Sequence, residues 1–196
     1  MKSLLTTLST LAVLTATGCT DTNVREAQAA PAAVNETSSV FMSAIADDVE
    51  GLAAKVTGLA EALSQEQYDW RPGEGVLSAG EVFMHIAAYN YYYPSLAGAD
   101  ISGDVSVTTD YETVGAFEES LSERADVLAA LTASFDHLKS EVAKAADADL
   151  EAKVEVFGSS STVQEAWFGT VTHIHEHLGQ LIAYARTNGV APPWSM

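Results

Sequence analysis

With 196 residues the chain is long enough for one domain with a substantial core, and short for two. Nine Lys and Arg stand against 27 Asp and Glu, a formal charge of −18, which repels phosphate backbones and anionic headgroups and argues against nucleic acid as a partner. The single cysteine, Cys19, excludes an internal disulfide.

At the amino end Lys2 precedes an apolar stretch from Leu4 to Leu14, followed by the small residues Thr15-Ala16-Thr17-Gly18. That pattern is a signal peptide, too short for a membrane span. The Gly18-Cys19 junction looks like a bacterial lipobox, with Ala16 at the position three before the cysteine where Leu is usual. Residues 1–18 are therefore expected to be removed and Cys19 to become the lipidated first residue, anchoring an exported chain to the cell envelope on its periplasmic or extracellular face. Ordinary cleavage after Ala27-Gln28-Ala29 is the rival. It would put the charged residues Asp21, Arg25 and Glu26 between the apolar stretch and the cut. Residues 19–37 carry Ala, Thr, Asn and acids without a sustained apolar period, as suits a flexible tether.

The folded domain is expected over residues 38–196. Phe41, Ile45, Val49, Leu52, Val56, Leu59 and Leu63 recur at three- and four-residue steps and predict a helix from about Ser38 to Ser64. Pro72, Gly73 and Gly75 break the chain into a loop. Ser78 and Glu81 form a capping box that opens a second helix, carrying His85 and expected to stop before Pro94. Residues 98–109 read as loop, with a short extended piece at Val105 to Val107. A third helix is expected from Val114 to Ala146, with Phe117, Leu121, Leu131, Phe135 and Leu138 facing inward and His137 on the outer edge. Lys153 to Phe157 alternates as an isolated strand, ended by Gly158-Ser159-Ser160-Ser161. A second capping box, Thr162 and Glu165, opens a fourth helix that should close at Asn188-Gly189. Four amphipathic helices without a sequence repeat make an all-α four-helix bundle the simplest architecture, and bundles build metal sites between facing helices.

The chemistry-bearing residues lie on two of these helices. His173 and His177 are four apart, which brings Cβ atoms to about 5–6 Å on one helix face, so both imidazoles can close on one ion. At about 100° per residue His175 points roughly 160° away from His173 and is expected at the surface. Glu176 reads as an exposed acid. His85, among apolar and aromatic neighbours, needs a partner if it is buried. Three histidines would leave a divalent ion one open position, the arrangement of catalytic rather than structural zinc. The stretch His-Glu-His-Leu-Gly lacks the second histidine of a zinc-protease helix, which has Gly179 in its place. Tyr89, four after His85, could line the site, and Gln180 could hydrogen-bond a ligand imidazole. Trp70 and Trp167 read as core aromatics.

Gln67-Tyr68-Asp69-Trp70-Arg71-Pro72, Ser78 to His85, His173-x-x-x-His177-x-Gly179-Gln180-Leu181 and Tyr184-x-Arg186-x-Asn188-Gly189 together resemble the DinB-like family of DNA-damage-inducible bacterial proteins, over about residues 38–195. The resemblance implies a four-helix bundle holding a divalent metal, zinc or nickel, by one histidine of the second helix and two of the fourth: His85, His173 and His177. Many members carry a further histidine immediately before the last ligand, where this chain has Glu176. Some relatives are transferases or isomerases using low-molecular-weight thiols, which are cytosolic and fit an exported member poorly. The expectation is therefore a lipid-anchored metalloprotein, a metal-dependent hydrolase or related enzyme acting on a small molecule of unknown identity. The alternative is a non-catalytic metal-binding or scaffolding bundle. Membrane contact is expected through the lipid anchor only, and a homodimer is an option open to such a bundle.

Overall fold

The computed structural model describes residues 36–99, 101 and 105–195. The signal peptide, Cys19 and nearly all of the tether lie outside these described residues. Among the described residues are six α-helices, two single-turn 3-10 helices and one two-stranded hairpin. The helices are α1 (Glu36–Ala62), α2 (Gln65–Asp69), α3 (Ala79–Leu96), α4 (Tyr111–Glu118), α5 (Arg124–Lys144) and α6 (Val163–Thr187). The hairpin strands are β1 (Lys153–Val156) and β2 (Ser159–Thr162). No helix among the described residues is long and apolar enough to cross a membrane.

The four long helices pack as a bundle in which α1 and α3 each contact both α5 and α6. Leu52, Val56 and Leu59 of α1 meet Phe83, Met84 and Ile86 of α3, Leu131 and Leu138 of α5, and Leu181 of α6 in one apolar cluster, all nearly inaccessible to water. The periodicity of α1 therefore does what it predicts. Two capping boxes also form as expected: Ser78 accepts from the Glu81 amide and Thr162 from the Glu165 amide.

Four elements depart from expectation. A third capping box, Ser64 with Gln67, starts the short helix α2, which buries Tyr68 and lets its hydroxyl donate to the Ala60 carbonyl at 3.0 Å. Helix α3 does not stop before Pro94 but runs to Leu96. Pro94 lies in its last turn, so only one ladder bond is lost. Bonds from Ala97 to the Tyr93 and Pro94 carbonyls close the end.

The expected third helix is two. The chain breaks between Glu118 and Arg124, and Arg124 is held from outside: its amide donates to Gln65 Oε1 at 2.7 Å and its guanidinium to the carbonyls of Leu63 and Glu61. Leu121, expected inside, falls in the break and is exposed. After the break α4 packs on α3 and brings Glu118 against His85. The strand at 153–157 is not isolated. It pairs antiparallel with β2, Lys153 opposite Thr162 and Val156 opposite Ser159, about a two-residue turn. That turn holds Phe157 at φ 50° and Gly158 at φ 73°, both in the left-handed region that two-residue hairpin turns require.

Helix α3 is wrapped on all sides. From Ala79 to Pro94 only Glu81 and His85 escape full burial, because α4 and the hairpin cover the faces that the bundle leaves open. All four tyrosines, Tyr89, Tyr91, Tyr92 and Tyr93, are consequently buried.

Candidate metal centre

His85 projects from α3 towards α6, and His173 and His177 project back from α6. The three rings converge. Their centroids are 4.9 Å (His85 to His173), 4.5 Å (His85 to His177) and 4.5 Å (His173 to His177) apart. One nitrogen from each lies within 4.8 Å of the others. His175 points away, pairing with Asp48 at 3.0 Å on the exposed face of α1 and α6, as its angle predicts.

Each outer nitrogen has a distinct fate. His85 Nδ1 lies 2.7 Å from Glu118 Oε1, and His177 Nδ1 lies 2.9 Å from Gln180 Oε1. A carboxylate and an amide oxygen only accept, so both Nδ1 atoms carry the proton and both Nε2 atoms present a lone pair. Gln180 is itself fixed, donating to the Tyr184 hydroxyl at 2.8 Å, and Tyr184 packs edge-on against Trp70. Thus α2, the loop after it and α6 set the orientation of one imidazole, while α4 sets that of another.

His173 is the most enclosed. Its Nε2 lies 3.0 Å from His85 Nε2, whereas its Nδ1 is buried with no hydrogen-bond partner among the described residues. Burial, with lesser contributions from His177 and His85, holds its pKa down at about 3, so it is a neutral imidazole at neutral pH. Burial likewise lowers His177, opposed by its bond to Gln180. Two nitrogens facing one another at 3.0 Å need a proton or a cation between them. Nitrogen ligands about 2.0–2.1 Å from one ion in tetrahedral array stand roughly 3.3 Å apart, so the observed spacing suits a shared divalent ion. Two rings whose far nitrogens are held by acceptors, and a third, His173, kept neutral by burial, make a donor set that such an ion takes.

Aromatic rings form one wall. Tyr89 lies over His173 with centroids 4.3 Å apart and over His85 at 4.6 Å, and Tyr93 meets His173 edge-on at 5.8 Å. The Tyr89 hydroxyl donates to that of Tyr111 at 3.0 Å. Burial, then the bond to Tyr111, raises the Tyr89 pKa well above its usual value and keeps the phenol neutral.

Glu118 was not visible as a site residue in the sequence, since nothing distinguishes it among 27 acids without knowing where the third helix breaks. The general need of a ligand imidazole for an acceptor is the only signal pointing to such a group. His137 lies outside the histidine cluster, as expected. It is half-buried against Tyr91, at 4.8 Å, with its Nε2 enclosed and without a partner among the described residues. The buried stripe of α5 includes the polar residues Ser134 and Glu141, which an apolar periodicity does not count. Trp167 is buried in the core and Trp70 is packed against it.

Comparison with known proteins places this geometry. A DinB-like protein from Bacillus cereus has a solved structure that superposes with a TM-score of 0.62 at 18% identity, covering 78% of this chain and 93% of that one. A DinB-like protein from Bacillus subtilis gives 0.57 at 18% identity, covering 74% and 92%. YfiT from Bacillus subtilis, described as a probable metal-dependent hydrolase with an unusual four-helix bundle topology, gives 0.61 at 15% identity, covering 83% and 93%. No curated protein matches the sequence. The sequence profile of the DinB superfamily matches residues 49–181, a span that takes in all three converging histidines, and the chain belongs to that superfamily.

Proposed function

We propose that His85, His173 and His177 hold a divalent ion, zinc or nickel, and that the protein is a metal-dependent hydrolase or closely related enzyme. The observation that carries this reading is the pair of outer hydrogen bonds, from His85 to Glu118 and from His177 to Gln180, which aim two Nε2 lone pairs at the point His173 also faces. The description of YfiT as a probable metal-dependent hydrolase, on the same fold, points the same way.

An ion held by three imidazoles with one open position supplies Lewis-acid polarisation of a carbonyl and acidification of water. The chain's own groups do the rest. Glu118 keeps the proton of His85 on Nδ1, and Gln180 does so for His177. Tyr89 and Tyr93 shield His173 from bulk water on one side. Glu118, facing the outer nitrogen of His85, is also the carboxylate best placed to take up positive charge gathered on that ring.

The proposal extends to location. The apolar leader and the Gly18-Cys19 junction support export and lipid anchoring at Cys19, with the membrane met through the acyl chain alone. The acidic charge disfavours nucleic acid as a partner.

Elemental analysis of the purified full chain tests the centre. One equivalent of metal in the unmutated protein, lost in His85→Ala and His173→Ala, is expected; no metal in the unmutated protein refutes it. Incorporation of labelled fatty acid that disappears in Cys19→Ser tests the anchor, and incorporation that persists in that variant refutes it.

A further inference from the structure

Helix α4 is held to the domain by little apolar contact. Of its eight residues only Val114 is fully buried, whereas α5 buries seven. The one helix it packs on substantially is α3. It hangs between two fixed points. Before it, Val107 is buried among the tyrosines of α3. After it, the Ser122 carbonyl accepts from Gln65 Nε2 at 3.3 Å, and Arg124 donates to the carbonyls of Leu63 and Glu61. Residues 108–110 and 119–121, which join α4 to these points, are exposed.

The polar contacts of α4 all end at the histidine cluster. Among the described residues its side chains make two hydrogen bonds to another helix. Glu118 accepts from His85 Nδ1 at 2.7 Å. Seven residues earlier, Tyr111 accepts at 3.0 Å from the hydroxyl of Tyr89, whose ring lies over His85 and His173. Apolar support comes from Val114 and from Phe117, which meets Tyr91 edge-on at 5.9 Å. A short helix with one buried side chain opens locally at lower cost than the bundle does. The closed position of this one is held in part by groups that belong to the site.

His85 donates more strongly from Nδ1 once its Nε2 lone pair is given to a cation, because charge drawn from the ring leaves the N–H more acidic. The acceptor is a carboxylate, so closure of α4 gains from occupancy of the centre. Linkage makes the effect reciprocal: the factor by which occupancy favours closure is the factor by which closure raises affinity.

We propose that α4 is a latch on the histidine centre, drawn closed by occupancy of His85 and, when closed, holding the occupant in place. It rests on reading the three histidines as a metal centre, and it names the element that moves as an ion enters or leaves. Glu118 releases Nδ1 and Tyr111 releases Tyr89 as α4 swings on residues 108–110 and 119–121.

Hydrogen–deuterium exchange of the full-length chain, read by mass spectrometry with and without saturating zinc, tests the latch. Peptides covering residues 111–119 should exchange about tenfold more slowly with zinc, the factor that an acceptor behind a ligand histidine adds to affinity. The hairpin meets the wall of the centre through Phe157, 6.5 Å from Tyr89, and touches no outer nitrogen. Its peptides should change by less than about twofold. Glu118→Ala, at zinc high enough to saturate it, should lose the slowing over residues 111–119, and Glu118→Gln should keep part of it. Stoichiometric zinc without slowing over residues 111–119, slowing shared equally by the hairpin, or slowing that survives in Glu118→Ala overturns the latch and leaves the metal centre standing. A chain that takes up neither zinc nor nickel overturns the metal centre and the latch with it.

Discussion

Glu118→Ala isolates what the break between α4 and α5 contributes to the centre. The carboxylate oxygen sits 2.7 Å from His85 Nδ1, and the two side chains are 28% and 19% exposed, so the contact is partly screened but not a surface pair. A hydrogen bond to a charged group is worth about 1.5–3 kcal/mol when enclosed, and acceptors behind ligand histidines are worth about 10–100-fold in metal affinity. With this degree of exposure the lower half applies, so Glu118→Ala should weaken zinc by roughly 10–30-fold, or about 1.4–2 kcal/mol. Glu118→Gln keeps an acceptor and loses the charge, and should cost about threefold to tenfold. The metal-free variants should unfold in urea within about 1 kcal/mol of the unmutated protein, because one partly exposed hydrogen bond contributes modestly to folding. Competition against a chromophoric chelator at fixed pH reads the affinity, and urea denaturation followed by circular dichroism reads the stability. Zinc affinity of Glu118→Ala within twofold of the unmutated protein would refute the argument that this carboxylate sets the imidazole. Weakening that tracks an equal loss of folding stability would refute it too, by showing a structural role instead.

Burial lowers the pKa of His137, with Glu141 opposing and Lys144 assisting, so below about pH 6.5 the unfolded chain takes up a proton that the folded chain refuses. Stability should therefore fall as pH drops through that value, and His137→Leu should flatten part of the slope; equal urea midpoint differences at pH 7.5 and 5.5 would contradict this. A Cβ on Gly169 would meet Tyr93 Cε1 at 3.1 Å, whereas one on Gly179 would meet nothing within 4 Å. Gly179→Ala should gain about 0.5–1 kcal/mol of helix stability, and Gly169→Ala should forfeit that gain and displace the ring against His173, as thermal melts of the pair would show. Ser134→Ala removes the acceptor of the fully buried Asn90 Nδ2, a 3.0 Å bond between α5 and α3, and should cost about 1–3 kcal/mol in urea unfolding. Adding Asn90→Leu should recover most of that loss, because no buried donor is then stranded.

How far the chain could be read in advance follows from which interactions are local. The long helices were legible because apolar spacing and capping boxes act within a few residues: Ile45 to Leu63 fixes the inner face of α1, and Thr162 with Glu165 fixes the start of α6. The histidine pair on α6 was legible for the same reason, its geometry being set by the helical repeat. What was not legible depends on partners far away in sequence. Arg124 bonds to groups about sixty residues earlier, so the break that separates α4 from α5 carries no local mark. The hairpin escaped notice because β2 is Ser-Ser-Ser-Thr, without apolar alternation, and because its turn holds Phe where Asn or Gly would announce it. The burial of Tyr91, Tyr92 and Tyr93 likewise depends on α4 and the hairpin, which pack on α3.

The same two elements explain how a bundle of ordinary packing can carry the histidine cluster at its edge. Zinc fingers need their ion to fold because they have no core to speak of. Here the core is complete without one: Val82, Phe83, Met84 and Ile86 flank His85 on α3 and are fully buried against the other long helices. His85 itself keeps partial exposure on a strip of α3 beside α4. Helix α4 brings its carboxylate to that strip, and the hairpin brings a ring. The orientation of His85 therefore rests on the short helix α4, and the apolar core rests on the four long ones. Glu118 can therefore be changed, and the orientation of His85 with it, at little cost to the apolar core.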